Sequence, residues 1–558
     1  MSVAVVVAQS DEEAPAALGT GESAPELPKQ ELTENIVYEF LLAEIAQQRG
    51  DPGLSAQAYA DLAKRTRDPR IARRATEVAV FARMSDAALV AAKVWHEVDP
   101  KSARALQTLS GLLVSSDRFD EARPYLEKLI GSGAMEPGET FMQLSRTLAN
   151  SKDRNGALRL VQHLAERFPK LPQAYFAVGQ AAARANSEDL ALSSLRRSAE
   201  LHPQWEAPAL LQAQILQRGK RNAEALAVLA NYLGKYPDSR EVRINYARTL
   251  VAEKRYGDAR GEFQRLVTRF PDNAEVVLAV GLLSMQLNDY DAAEATLKRL
   301  LSLDYPDRDS VRLYLGQIAE DRKILPEALR WYGEIVHGEH YLTAQMRYAQ
   351  VLAKQGKLED GRAHLRNISA ANDRQRTQLL LAEAALLRDA GQARTAFELV
   401  DGALGKEPDN PELLYDHAML AEKVDRLDAL ELSLRTLIQL RPRHAHAYNA
   451  LGYSLADRNI RLAEARQLIE QALALAPDDA FIIDSMGWVM YRLGDVDSAL
   501  THLRRAFSER QDAEIASHLV EVLWMSGKRA EAQQVWSDAS QKNPGNEALV
   551  NIMKRLQR

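Results

Sequence analysis

Small residues recur along this chain at an almost constant interval, and that interval constrains its folding more than any other feature. One line runs Ser110, Ser145, Gly179, Ala213, Ala247, Gly281, Gly316, Ala349, Ala384, Ala418, Gly452 and Gly487, with separations of 35, 34, 34, 34, 34, 35, 33, 35, 34, 34 and 35 residues. A second line follows twelve or thirteen residues later: Ala122, Ala157, Ala191, Ala225, Ala259, Ala293, Ala328, Gly361, Ala396, Leu430, Ala465 and Ala499. A third consists of prolines: Pro169, Pro203, Pro237, Pro271, Pro306, Pro408, Pro442, Pro477 and Pro544. A period of this length belongs to one repeated supersecondary unit, stacked many times.

The spacing within a unit tells what the unit is. Two antiparallel helices approach closely only where their contact residues lack bulk, and proline ends a helix by removing an amide donor. Turn signals such as Gly494-Asp495 and Asn288-Asp289 fall between the two lines, where the chain must reverse. Each unit is therefore a helix hairpin that buries its apolar side against its neighbours, so the array shares one core extended in one dimension. Residues 9–35 carry seven acidic residues against Lys29, with Pro15, Pro25 and Pro28, and residues 1–33 are expected to form a disordered acidic leader.

YNALGYSLADRN and DSMGWVMYRLGDVDSALTHLRRAF resemble tetratricopeptide repeats, with Tyr448, Leu451, Gly452, Ala465, Ala472 and Pro477 matching the repeat pattern residue by residue. The resemblance covers over nine tenths of the chain. It implies an all-α tetratricopeptide-repeat (TPR) solenoid, a right-handed superhelix of about 15 helical hairpins whose first helices line the inner surface. The expected segments are N-terminal repeats over 34–136, the main array over 137–544 and a capping helix over 545–558.

Several functions lose support from bulk properties. The chain has 71 Lys plus Arg against 77 Asp plus Glu, a net charge of −6, which offers no electrostatic footprint for nucleic acid. With no cysteine, disulfides, thiolate metal sites and thiol catalysis are excluded. No apolar run approaches the ~18 residues of a membrane-spanning helix. The opening MSVAVVVAQS has an apolar stretch but no basic residue before it, so it does not read as a complete secretion signal.

Catalytic patterns are equally scarce. The closest histidine pairs, His337 with His340 and His444 with His446, lack a third ligand and read as solvated residues at a loop and a helix start. Gly19-Thr20-Gly21 lacks the Lys-Ser/Thr ending of a phosphate loop. Carboxylates alternate with Lys and Arg as on solvated helix faces. No catalytic residue, metal site or cofactor is expected.

Binding surfaces are more promising. The residue after each small residue, and its neighbours one turn away, are expected to face the inside of the array, which in the last repeats places Tyr415, Met419, Tyr453, Trp488 and Tyr491 on a cargo-binding stripe. Trp95, Trp331 and Trp536 lie in second helices and are expected in the core, whereas Trp524 fits either surface. In the first helix, ENIVYEFLLAEIAQQ, the residues Val37, Leu41, Glu44 and Ile45 are expected to face the next helix. Ile36, Tyr38 and Phe40 then remain as an apolar surface for docking a partner, since a terminal repeat otherwise needs a polar outside.

Among tetratricopeptide proteins, the carboxylate clamp of cytosolic co-chaperones needs matching Lys and Asn in adjacent repeats, but Asn245 and Asn449 stand alone; the asparagine ladder of sugar-transferring relatives is also missing. The whole-chain arrangement is similar to a narrower family, the long tetratricopeptide lipoproteins of Gram-negative outer membranes. The likeness lies in the acidic leader, the opening ELTENIVYEFLLAEIAQQRGD and the closing KNPGNEALVNIMKRLQR. It implies a non-catalytic adaptor on the periplasmic face that binds and activates a carboxyl-terminal processing serine protease. Its cargo would be peptidoglycan cross-link hydrolases presented for proteolysis. The lipid-bearing cysteine through which that family associates with the membrane has no counterpart here. The rival expectation is an assembly scaffold of an envelope secretion or polysaccharide export machine.

Overall fold

All twelve residues of the first small line are buried, and so are all twelve of the second. The computed structural model describes residues 27–133 and 135–556. Among these there are thirty-one α-helices, one short 3-10 turn at Leu148–Asn150 and no strand. The helices fall two to a repeat and end in a single closing helix, Glu547–Leu556, as the sequence predicts. Residues 1–26, most of the expected leader, lie outside the described residues; residues 27–33 precede the first helix without helical structure.

The chain forms two compact units, one ending at Asn288 and the other beginning at Asp289. Within each, a helix packs chiefly on the next helix and the next but one. The core of the first unit therefore runs along the chain in overlapping clusters: around Tyr59 and Trp95, then Leu109 to Val242, then Leu226 to Leu283. In the second unit the same progression leads from Tyr332 through Leu386 to the large cluster that joins Leu387, Leu434, Leu451 and Leu519.

The two small lines meet where the hairpin helices touch. A methyl group on Gly452 would sit 2.9 Å from the Ala465 carbonyl oxygen and 2.7 Å from Ile469 Cγ1; on Gly487, it would sit 3.1 Å from the Ala499 carbonyl and 2.6 Å from Leu503 Cγ. On Gly361 it would press on the Ala349 carbonyl at 2.7 Å, and on Gly316 it would overlap the Tyr332 ring. Backbone therefore packs on backbone at Gly361, Gly452 and Gly487, a tyrosine ring takes that place at Gly316, and nothing larger than hydrogen fits at these four positions.

Chain reversal between the paired helices uses a left-handed residue in most repeats, the reversal after Pro137–Thr147 running instead through the 3-10 turn. Asp117, Asn186, Lys220, Lys254, Asn288, Lys323, Asp425 and Asn459 take φ of 56–60°, while Gly356, Gly391, Gly494 and Gly527 take 78–89°. Asn, Asp and Gly suit this conformation, whereas lysine is held there by the packing on either side. Side-chain caps at Ser102, Ser239, Asn273, Asn410 and Asp479 receive the first free amides of following helices. The line of prolines lies two to four residues beyond the last helical residue of the preceding helix, where the chain leaves one repeat for the next.

Gly452→Ala is expected to destabilise the second unit by about 1–3 kcal/mol, because both Ile469 and the Ala465 backbone are fixed in the core. Gly261→Ala places its methyl in open space within a helix and is expected to stabilise by about 0.5–1 kcal/mol. Chemical denaturation of the two variants beside the parent checks both signs.

Candidate partner-binding surfaces

The aromatic stripe expected near the C-terminal end is carried by the first helices of successive repeats: Pro411–Lys423, Ala445–Asp457 and Ala480–Arg492, followed by Ala513–Met525. Tyr415, Met419, Tyr453 and Tyr491 are half-buried and pack on the large core cluster, leaving part of each side chain accessible. Trp488 departs from the expectation, being only 4% exposed. Its indole stacks on the His518 ring at 4.4 Å between centroids and 23° between planes, with the Arg492 guanidinium 5.2 Å from the ring centre and Tyr491 at 5.5 Å. The helix of the following repeat supplies His518, so the tryptophan is sealed by its neighbour and does not offer a free face.

His518 organises a polar cluster that the sequence reading missed. Its Nδ1 lies 2.8 Å from Asp484 Oδ2 and its Nε2 3.3 Å from the Tyr453 hydroxyl, joining three consecutive repeats. Asp484 is itself 4% exposed, and its second oxygen and the Trp488 indole N–H are buried without a partner among the described residues. Burial alone would lower the His518 pKa; the charge and hydrogen bond of Asp484 outweigh it, Glu514 and Glu521 add to the effect, and the imidazolium is favoured. Burial also drives the Tyr453 hydroxyl far up and raises those of Tyr415 and Tyr491. The available signal was positional: Tyr415, Asn449 and Asp484 all stand three residues before their repeat's small residue, and His518 continues that register.

The opening helix, Glu34–Gln48, seats itself differently from the expectation. Ala43 and Ala46 are buried, whereas Leu41 and Ile45, expected to face the next helix, are 51% and 46% exposed. The reason is the same close approach seen at the other crossings: the alanines let this helix lie against Pro52–Thr66, and the bulkier residues turn outward. Ile36 is half-buried on the first core cluster, Phe40 sets its ring edge-on to Tyr59 at 6.1 Å, and Tyr38 is 67% exposed. Tyr38, Leu41 and Ile45, spaced i, i+3 and i+7, therefore form an apolar stripe on one side of the helix. The acidic groups beside it are engaged: Glu39 pairs with Arg65, and Glu44 accepts from the Tyr59 hydroxyl and lies 3.7 Å from Arg74.

The remaining expectations sort by helix. Trp95 and Trp331 are in the core, Trp536 is half-buried and donates to the Leu549 carbonyl at 2.9 Å, and Trp524 is half-buried with Arg529 at 5.3 Å from its ring centre. His340 lies 3.4 Å from Asp307, and the His444 ring caps the helix that begins at Ala445 by accepting from the Ala447 amide. Among the described residues no group of three or more His, Cys, Asp or Glu could hold a metal ion, and no helix is long and apolar enough to cross a membrane.

Tetratricopeptide-repeat models match residues 217–281, 250–318 and 415–480. The TPR repeat-containing protein PA4667 of Pseudomonas aeruginosa is 34% identical over 490 residues, covering 88% of this chain and 82% of that protein. Among solved structures, the chain is similar to yeast Tom70 (13% identity, TM-score 0.37, over 76% of this chain and 95% of that one). It is also similar to TTC0263, a thermophilic TPR protein of Thermus thermophilus (26% identity, TM-score 0.31, over 33% of this chain and all of that one).

The His518–Asp484 pair makes stability depend on pH. A folded-state pKa above the ordinary value of about 6.5 contributes stability that is complete below that pH and is lost as pH rises through the raised pKa. Thermal unfolding across the neutral range is expected to show the parent losing stability, relative to His518→Gln, as pH climbs above about 6.5.

Proposed function

The chain belongs to the tetratricopeptide-repeat family, and on that premise we propose that it is a non-catalytic adaptor which docks a carboxyl-terminal processing serine protease and presents polypeptide cargo to it. Repeats of this kind are in general scaffolds for protein interaction, and the fold accordingly implies protein partners. The finer reading draws on the likeness of the leader, opening helix and closing helix to the outer-membrane lipoprotein family, in which the protease is periplasmic and the cargo consists of peptidoglycan cross-link hydrolases. Its location would then be the periplasmic face of the outer membrane.

The observation that carries the docking half is the apolar stripe Tyr38, Leu41 and Ile45 at the first end of the array, where a terminal repeat otherwise turns a polar side to solvent. The cargo half rests on the half-buried ring edges of Tyr415, Tyr453 and Tyr491, with Met419 among them, on successive first helices. Holding enzyme and substrate on one scaffold raises their effective concentration without any reactive group from the adaptor. Activation additionally needs tighter binding to the protease's active conformation than to its resting one.

A reconstituted assay tests this: purified protease and a hydrolase substrate, with and without the full chain. Proteolysis is expected to accelerate when the chain is present, and the double variant Tyr38→Glu, Leu41→Glu is expected to weaken protease binding by about tenfold or more with helix content unchanged. Equal cleavage rates with and without the chain would remove the adaptor reading. Recovery of structural envelope proteins in place of a protease, on purification from envelope extracts, would favour the assembly-scaffold alternative.

A further inference from the structure

The second unit contains an open trough of about 1390 Å³ at the starts of three successive first helices, Asp373–Asp389, Pro411–Lys423 and Ala445–Asp457. Small-molecule pockets usually span ~300–1,000 Å³ and close around their ligand. A larger, open trough suits a length of polymer. The residues lining it include Thr377, Leu381, Tyr415, Asp416 and His444, all at least partly buried. Tyr415 and His444 lie with ring centroids 5.5 Å apart and planes 36° apart, and His444 is held in place as the cap of its helix.

Asp416 is the unusual member. It is half-buried, yet its carboxylate has no hydrogen bond and no ion pair among the described residues. Arg388, the cation whose charge acts on it, is already paired with Asp389 at 2.9 Å, and the neighbouring Glu412 opposes it. Burial accordingly pushes the Asp416 carboxyl above the usual carboxylate range. The trough is bordered by charges of both signs, Arg374, Arg441 and Arg443 with Asp373, Glu407, Asp409 and Glu412, and the three arginines are exposed at its rim and keep their hydration. A partly buried, unpaired carboxylate lining the same trough as two aromatic rings offers what a cationic side chain needs: a counter-charge, and ring surfaces for its stem and head.

We propose that the trough takes an extended polypeptide segment and that Asp416, with Tyr415 and His444, forms a socket for a Lys or Arg side chain on that segment. This rests on the reading of the array as a holder of polypeptide cargo and narrows it to cargo with a basic residue at one position. The cation removes the desolvation cost that Asp416 carries in the free chain, so the socket favours basic segments over neutral isosteres of equal length.

The test uses the full chain and fluorescein-labelled peptides of ~12 residues, identical except for a central Lys, Arg, norleucine or Glu, read by fluorescence anisotropy. The Lys and Arg peptides are expected to bind about tenfold more tightly than the norleucine peptide. Asp416→Asn is expected to abolish that preference while leaving norleucine binding unchanged, and Asp409→Asn, at the solvated rim, is expected to preserve it. Thermal unfolding gives a readout independent of any peptide: Asp416→Asn removes an unpaired, desolvated charge and is expected to raise the unfolding temperature of the free protein, whereas a lowered one would show Asp416 to be a structural group. Binding without a basic preference, a preference for Glu, or a basic preference that survives Asp416→Asn would overturn the socket while leaving cargo capture standing. Failure of all four peptides to bind would overturn both.

Discussion

The structure depends on the crossing of two helices at a pair of residues too small to keep them apart. At Gly452 against the Ala465 carbonyl, and at Gly487 against the Ala499 carbonyl, backbone touches backbone, and the large side chains are displaced to either side. Those displaced side chains, Ile469 and Leu503 among them, become the core that joins one hairpin to the next. Setting one crossing therefore sets both the pitch of the hairpin and the surface its neighbour must match. Loss of close approach at one crossing would change the seating of the next helix.

This dependence explains what could be read from the sequence. The small residues, the reversal signals and the prolines are local requirements with few chemical solutions, so they stand out at a fixed interval, and the repeated helix hairpin followed from them. The seating of the opening helix did not. A helical wheel sends Leu41 and Ile45 inward because they are large and apolar, but the helix approaches its partner through Ala43 and Ala46. Lys220, Lys254 and Lys323 at left-handed turns were equally hidden, since nothing in lysine favours that conformation.

The candidate surfaces were legible in outline for a related reason. Register placed Met419 and Tyr453 one residue after the small residues of their first helices, with Tyr415 and Tyr491 a turn to either side on theirs, and all four retain some access to solvent. Trp488 obeys the same register yet is buried, because His518 of the following repeat stacks on it. Whether an inward-facing ring is a contact or a filler is decided by the residue one period later, and a periodicity argument that treats repeats as alike has no means of weighing that neighbour. Asp416 escaped notice because an acidic residue on a helix is ordinarily solvated; its partial burial, which raises its carboxyl pKa, shows only in the structure.

Each helix here answers chiefly to the two that follow it, and the packing within either unit runs from neighbour to neighbour along the chain. Architecture of this kind has no prescribed size. A hairpin gained or lost by recombination between similar stretches leaves two compatible ends to rejoin, and neither remaining stretch must be redesigned. The number of rungs can therefore be adjusted to the dimensions of whatever is carried, with selection acting on length as freely as on chemistry.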